Sequence, residues 1–520
     1  MTVVGRGPVG MTTALLLAHA GVASVVVDPQ PAETVLPGSK AVLIAGHVMA
    51  VTEPVGVGER IAEEGVAWRT SRTFIRGREV TRTEVPHTAG LWPRFVNLSQ
   101  HRVEELLLER VRAEPLITLL SGSRLIGLTD HGDRVTVRIV DGAAEREFDT
   151  SWVAGCDGAR STVRRLLDIP FEGYGFDENF LIVDIRAELP FPDERHFHFD
   201  PEFNRGRTVL IHPQPGSTWH IDWQVGPEVD AEQERRSGRL DQRIRSIVGA
   251  AEYELMWLTT YRFTQLKARE FRRGRCLLVG DAAHLISPYG ARGMNSGIAD
   301  AENAAWRLAM AVRGHAGESV VDGYGPEREY AAEENLRITG ATARFMCPPT
   351  RATRLRRNAV LAAARRFGFA RRWVDSGRFY EPATYPSATD VVGRPVPDAR
   401  VEAADPAIDR LDRLLRRGVV LLGFPGADRA ELEKALTSAL EQFAGSFPIT
   451  AVEVVDGVPR PSGDGRYVQI RDVTGELSAM WSPRPSADGR VLVLRPDAHV
   501  AAVTIPDAAR IVAACEAAFA

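Results

Sequence analysis

Residues 1–28 are MTVVGRGPVGMTTALLLAHAGVASVVVD. A short apolar run, a GxGxxG turn at Gly5, Gly7 and Gly10, an apolar helical stretch closing at Gly21 and a second apolar run ending at Asp28 give strand, turn, helix and strand. That order opens a parallel α/β unit, whose right-handed crossover puts the glycine turn at the carboxyl edge of the sheet. The first glycine permits the tight turn, the second lets a pyrophosphate approach the backbone, and the third lets helix and strand pack closely. The helix start offers N–H groups to phosphates. Asp28, 18 residues beyond Gly10, stands where a carboxylate can bind the two hydroxyls of an adenosine ribose. Because that carboxylate disfavours a 2′-phosphate, FAD or NAD is the expected dinucleotide there.

Outward from this unit, QHRVEELLLERVRA at 100–113 has apolar residues at helical spacing and predicts an amphipathic helix. LITLLSG, RVTVRIVDG and REFDTSWVAGCDG predict strands leading back to the first sheet, and 180–187 and 207–225 are again strand-like. In TWHIDWQV, Trp219, Ile221, Trp223 and Val225 share one face while His220, Asp222 and Gln224 share the other, the pattern of a sheet with one face in a core and one facing water or a ligand. Further helices are expected at 230–249, 295–314 and 322–345. The basic stretch 351–372 is expected to form an amphipathic helix pair covering the sheet or another subunit, with a membrane or anion surface as the alternative, and 376–400, rich in Pro, Gly, Asp and Tyr, a long crossing loop. Beyond it, RGVVLLGF, a helix at 428–444, ITAVEVV, RVLVLRPDAHVAAVT and a final helix from about 506 form a smaller βαβ-like domain.

At 520 residues the chain has room for several domains, and a net charge of -4 provides no long-range positive field for nucleic acid. Neither a zinc-finger spacing nor an apolar run of membrane-spanning length is present, so a soluble cytoplasmic protein without nucleic-acid or membrane partners is expected. Four scattered cysteines without a CxxC fit reduced thiols. No metal site is expected. A homodimer is the commonest closed assembly.

Three stretches, taken in order, resemble the single-component FAD-dependent aromatic hydroxylases, a class of flavoprotein monooxygenase. They are GRGPVG at 5–10, GCDGARSTVRRLLDIPFEG at 155–173 and GRCLLVGDAAHLISPYGARGMNSGIADAENAAWRLAMAVRG at 274–314. The C-terminal part resembles the thioredoxin-like appendix of the phenol, 3-hydroxyphenylpropionate and polyketide hydroxylase branches, here without a CxxC. The implied fold is α/β. A Rossmann-like FAD-binding domain (1–175 and 270–345) is interleaved with a mixed-sheet substrate domain (176–269), followed by a helical and loop connection (346–400) and a thioredoxin-like domain (401–520).

By the same resemblance, Asp281 binds the ribityl and diphosphate region of FAD, Gly293, Met294 and Asn295 face the flavin O2 and N3 edge, and Pro288 lies beside the flavin where oxygen is activated. Asp157 belongs to a motif serving FAD and nicotinamide, with Arg160 and Arg164 as weaker phosphate partners, and Gln100 and Arg102 match a helix that contacts the flavin side. Two departures stand out: Lys40 where the family commonly has arginine, and GARG at Gly290–Gly293 for the common GGQG, which places Arg292 near the flavin edge. The implied reaction is hydroxylation of a phenolic or polycyclic aromatic ring. NADPH or NADH reduces FAD, molecular oxygen adds at C4a, and the hydroperoxyflavin transfers one oxygen atom to the ring. Epoxidation, Baeyer–Villiger oxidation and antibiotic inactivation use the same frame, and a catalytically silent nucleotide-binding protein is the non-enzymatic alternative. No general base is assigned; His212, His220 and Asp222 are its candidates, and Tyr174, Arg205, His212, His220, Asp222, Gln224 and Arg292 are candidate substrate contacts.

Overall fold

A computed structural model describes residues 1–31, 42–85, 92–189, 191–375, 377–387, 389–424, 426, 429–444, 447–461, 463, 465–477 and 489–519, with backbone alone at 176 and 177. Lys40 lies outside the described residues. Strand Thr2–Val4 is wholly buried and pairs in parallel with Ser24–Asp28 on one side and Val153–Gly155 on the other. The sheet continues to Ile117–Ser121 at one edge and through Cys276–Leu278 to Arg272–Arg273 at the other. Helix Pro8–His19 carries proline at its first turn, where a missing N–H costs nothing, and packs on helix Gly293–Val312.

The segment 123–150 departs from the expectation. Only Ile117–Ser121 and Val153–Gly155 return to the first sheet, whereas Ser123–Asp130, Val135–Asp141 and Ala144–Thr150 pair as a separate three-stranded antiparallel sheet. Short turns join these strands, and hairpin neighbours pair with each other before reaching a distant edge.

The second large sheet has eight strands, in the order His284–Leu285, Glu254–Ala268, Phe171–Arg186, Thr218–Val225, Thr208–Gln214, Arg195–Phe199, Thr70–Ile75 and Arg78–Glu84. Two of these, at 70–84, come from inside the segment expected to belong entirely to the FAD-binding domain, so the interleaving is deeper than the proposed boundary at 175. The alternation in TWHIDWQV falls as expected. Trp219, Ile221, Trp223 and Val225 enter a core with Leu240, Ile244 and Val248 of helix Arg239–Val248, while His220 and Asp222 face the other side. The charged helix expected at 230–249 is broken at Gly238, which takes φ 75°, into Ala231–Arg236 and Arg239–Val248.

Helix Arg351–Arg366 lays Leu361 and Ala364 against the core that holds Phe180, Phe197 and Phe263, and leaves Leu355 exposed. The connection then crosses the FAD-binding part. Arg292 donates to the carbonyls of Arg378 and Phe379, Arg328 to the Tyr385 hydroxyl, and His499 contacts the Ala383 carbonyl at 3.1 Å. The C-terminal thioredoxin-like unit is a six-stranded sheet ordered Val401–Ala403, Tyr467–Asp472, Ile449–Val454, Val419–Phe424, Arg490–Leu494 and Val500–Thr504, with helices Arg429–Gln442 and Ala508–Phe519. Val396 and Ala399 already belong to its core, so the unit starts before the expected residue 401.

Candidate functional site

A cavity of about 300 Å³ lies between the glycine turn and the eight-stranded sheet. Gly7, Pro8, Val9, Gln100, Gly158, Asp281, Pro288, Gly293 and Met294 form its dinucleotide-side wall. The sheet supplies Phe180, Phe197, Leu210, Phe263 and the polar residues Arg195, His212, His220 and Asp222, and the crossing connection supplies Phe379.

The turn has the shape that a dinucleotide requires. Gly5 sits at φ 103°, and a Cβ there would fall 2.5 Å from the Cys156 carbonyl oxygen; a Cβ on Gly10 would fall 2.0 Å from the Gly5 carbonyl oxygen. Gly7, by contrast, meets nothing within 4 Å, which leaves open space over the helix start, and no side chain caps that helix. Its first N–H groups are therefore available to an anion. Asp28 is fixed at the strand end: Oδ2 accepts the Arg6 N–H at 2.7 Å and Oδ1 the Gln30 N–H at 2.8 Å. These residues fit FAD. Asn295 does not line the cavity but fixes the helix start beside it. Its Oδ1 accepts the Ala45 N–H at 2.8 Å and its Nδ2 donates to the carbonyls of Leu43 and Ala291.

On the sheet side, His212 and His220 are cross-strand partners on one face. His220 is buried, with Nδ1 2.6 Å from Asp184 Oδ1 and Nε2 3.2 Å from Asp222 Oδ1. Burial disfavours its charge, but the Asp222 and Asp184 carboxylates outweigh that and push its pKa up to about 10. His220 is thus an imidazolium, unsuited to be a general base. The second contact has ion-pair distance without hydrogen-bond alignment, and Asp222 Oδ1 is buried without a hydrogen bond. His212 is shifted the opposite way: burial, then the charges of Arg195 and His220, hold its pKa well below the ordinary value, so its ring is neutral. Asn97 Nδ2 lies 3.4 Å from His212 Nδ1. Arg195 is fully buried, donates to Ser71 Oγ at 3.1 Å and lies 5.4 Å from the centroid of Phe379.

Several expected site residues are engaged elsewhere. Arg102 is held by Glu64 and Glu105, at 2.6 and 2.7 Å, away from the cavity. The Asp157 carboxylate accepts from Ser161 Oγ and from the Thr162 and Val163 N–H groups, so it caps helix Thr162–Leu166. Arg164 donates to the carbonyls of Ala282 and Ala159 and stacks over Phe171, and Arg160 is exposed. Arg292 is buried, bonded to Asn335 and to the connection, and anchors that segment instead of reaching the cavity. Tyr174, Arg205 and Gln224 line a different cavity. Gln224 shares a face with His220, yet at about 3.3 Å per residue it lies some ~13 Å along the strand. The sequence reasoning missed Asp184, Arg195 and Phe379. Asp184 alone had a local signal, as a lone carboxylate in an apolar strand, FLIVDIR.

The sequence matches the FAD binding domain family over residues 1–339 and the HcaD C-terminal domain family over 393–518. Among curated proteins it is 25% identical over 521 residues to a 3-(3-hydroxy-phenyl)propionate/3-hydroxycinnamic acid hydroxylase of Mycolicibacterium smegmatis, covering 98% of this chain and 91% of the relative. A second such hydroxylase, from Burkholderia vietnamiensis, is 28% identical, with 97% and 93% covered. Among solved structures, the flavin-dependent monooxygenase PieE in complex with FAD and substrate superposes with a TM-score of 0.81 at 20% identity, covering 100% of this chain and 98% of that one. A ternary complex of aklavinone-11 hydroxylase with FAD and aklavinone gives 0.77 at 22% identity, with the same coverage. With its first 339 residues matched, the chain belongs to the FAD binding domain family, that of the single-component flavoprotein aromatic hydroxylases.

Proposed function

We propose that the chain is an NAD(P)H-dependent monooxygenase that hydroxylates a phenolic or polycyclic aromatic ring. The observation that carries this reading is the cavity itself, which joins the glycine turn, Asp281, Pro288 and Gly293 to an aromatic chamber holding a half-buried carboxylate. Bound FAD supplies hydride acceptance and oxygen activation. Gly5, Gly7, Gly10 and Asp28 hold its adenosine diphosphate end, and Asp281, Pro288, Gly293 and Met294 its ring end. The N–H groups at the start of helix Gly293–Val312 would favour negative charge on a flavin ring bound there.

Phe180, Phe197, Phe263 and Phe379 hold the substrate ring and exclude water. The Asp222 carboxylate, which lines the cavity, accepts the hydrogen bond of the substrate hydroxyl, raising electron density in the ring, while His220, itself held by Asp184, keeps Asp222 in place. Neutral His212 accepts from Asn97 through Nδ1 and so offers its Nε2–H on the same wall as a donor. Relatives named for 3-(3-hydroxy-phenyl)propionate and a neighbour solved with aklavinone make phenylpropionates and polycyclic polyketides the two substrate sets to test.

FAD-loaded protein is mixed with NADPH or NADH and each substrate set under isotopically labelled oxygen. The expected result is substrate-stimulated NAD(P)H oxidation with one labelled oxygen entering a ring carbon as hydroxyl. A protein that binds no FAD, or a product with oxygen inserted as an ester, refutes the reading.

A further inference from the structure

A second cavity, of about 570 Å³, lies where strand Phe171–Arg186, the end of helix Tyr324–Met346 and the start of helix Arg351–Arg366 meet. Among the described residues, five arginines line it, Arg205, Arg207, Arg344, Arg354 and Arg357, against one carboxylate, Glu178. Glu178 is taken by Arg207, at 3.0 Å. Arg357 is buried and bonded to the Met346 carbonyl and to Asn358, and nearby Asp200 is paired with Arg76. Among the described residues, Arg205, Arg344 and Arg354 have no carboxylate partner. The local sequence is equally one-sided, with no acidic residue between Glu334 and Asp375 in a chain of net charge -4.

Crowding guanidinium groups around one concavity is electrostatically unfavourable unless an anion completes it, and planar guanidinium forks match phosphate oxygens best. The cavity is far larger than one phosphate. It is also close to the first: Tyr289 lines the flavin-side cavity, and its hydroxyl lies 3.6 Å from the Cys347 sulfur, which lines this one. Gln224 donates to the same sulfur at 3.2 Å, so the partition is about one side chain thick.

We propose that this arginine-lined cavity binds the phosphate groups of the reducing dinucleotide and makes the enzyme select NADPH over NADH. Arg344 and Arg354 take the 2′-phosphate or pyrophosphate oxygens from opposite helices, and Arg205 closes the third side. The inference rests on the hydroxylase reading for its use of a nicotinamide reductant, but the site is testable by itself.

Two measurements on the full-length, FAD-loaded protein decide it. In the first, 2′,5′-ADP and inorganic phosphate are each titrated calorimetrically into the wild type and the Arg344→Gln/Arg354→Gln double variant. The expected result is 2′,5′-ADP binding that weakens about tenfold or more in the variant, as loss of charge-assisted bonds to phosphate implies, with far weaker inorganic phosphate binding. In the second, the KM for NADPH rises by a similar factor while that for NADH moves little and the flavin absorbance is unchanged. Equal binding of 2′,5′-ADP to both proteins overturns the site, and inorganic phosphate binding as tightly as 2′,5′-ADP overturns the dinucleotide. If the double variant loses its flavin, the Arg205→Gln protein and competition of 2′,5′-ADP against NADPH in the wild type decide the same question. Should neither reductant be oxidised while 2′,5′-ADP still binds in an arginine-dependent way, the hydroxylase reading fails and the anion site stands.

Discussion

Buried charge is handled differently in two regions of this molecule. At the seam between the FAD-binding part and the C-terminal unit, Arg495 donates to both oxygens of Glu327 at 2.5 and 2.9 Å and to Asp497, Arg307 donates to Glu327, and Arg416 bridges Glu302 and Asp412. Each of these carboxylates meets a guanidinium. At the cavity wall, Asp184, His220 and Asp222 form another such series, but it ends on the half-buried Asp222 carboxylate, which lines the cavity. The same chemistry closes a joint in one place and lines a cavity in the other, and what separates them is whether the last carboxylate is enclosed between two parts of the protein or borders open space.

The largest expected effect comes from opening the seam. Arg495→Ala leaves Glu327 and Asp497 buried and undercompensated, and should cost about 3–5 kcal/mol in denaturant unfolding of the FAD-loaded protein. A loss below about 1 kcal/mol would remove the contrast. At the cavity wall, Asp222→Asn keeps the shape and replaces the carboxylate with a neutral amide, so hydroxylation should fall about 10²-fold with flavin content retained. Unchanged turnover in that variant would show that the acceptor lies elsewhere.

The two regions should also fail at opposite ends of the pH scale. Burial would raise Glu327, but Arg495 and Arg307 hold its pKa down at about 2, so its contribution to stability is present above about 4.5 and is lost as pH falls toward 2. His220, raised to about 10, contributes fully below its unfolded value of 6.5 and loses that contribution as pH rises through about 10. Unfolding free energies measured across pH for the wild type, Glu327→Gln and His220→Gln should show the acid limb flattened only in the first variant and the alkaline limb only in the second. The smallest effect is expected at Arg102, whose ion pairs are more than a third exposed. Arg102→Ala should shift stability by no more than about 1 kcal/mol and leave flavin affinity unchanged; a large drop in affinity would return this residue to the FAD site.

What was legible in the sequence was what contiguous residues carry. GRGPVG states its own geometry because its constraints, Gly5 against Cys156 and Gly10 against Gly5, follow from one turn meeting one neighbouring strand. The alternation of TWHIDWQV placed His220 and Asp222 on the correct face because a strand's period needs no tertiary information. Which part of that face a cavity underlies does need it, and so Gln224 was assigned to the wrong cavity. Arg102 and Asp157 show the converse limit. Motif position marks a residue's neighbourhood, but Glu64 and the N-terminus of helix Thr162–Leu166 compete for those side chains and hold them. The pairing of strands 70–84 with the substrate sheet had no local signature, since a parallel partner over a hundred residues away is chosen by the assembled edge.

The crossing connection has a further consequence. Phe379 closes the aromatic chamber, but the backbone that carries it is moored at one end by Arg292 and at the other by His499 and by the Val500 carbonyl, which accepts the Gly393 N–H. Among the described residues, the C-terminal unit contributes no side chain to the chamber, yet its hydrogen bonds hold the segment that carries Phe379. A chain shortened before residue 393 would keep the glycine turn, the imidazolium and the substrate sheet, and would lose the hydrogen bonds that fix the far end of the segment carrying Phe379.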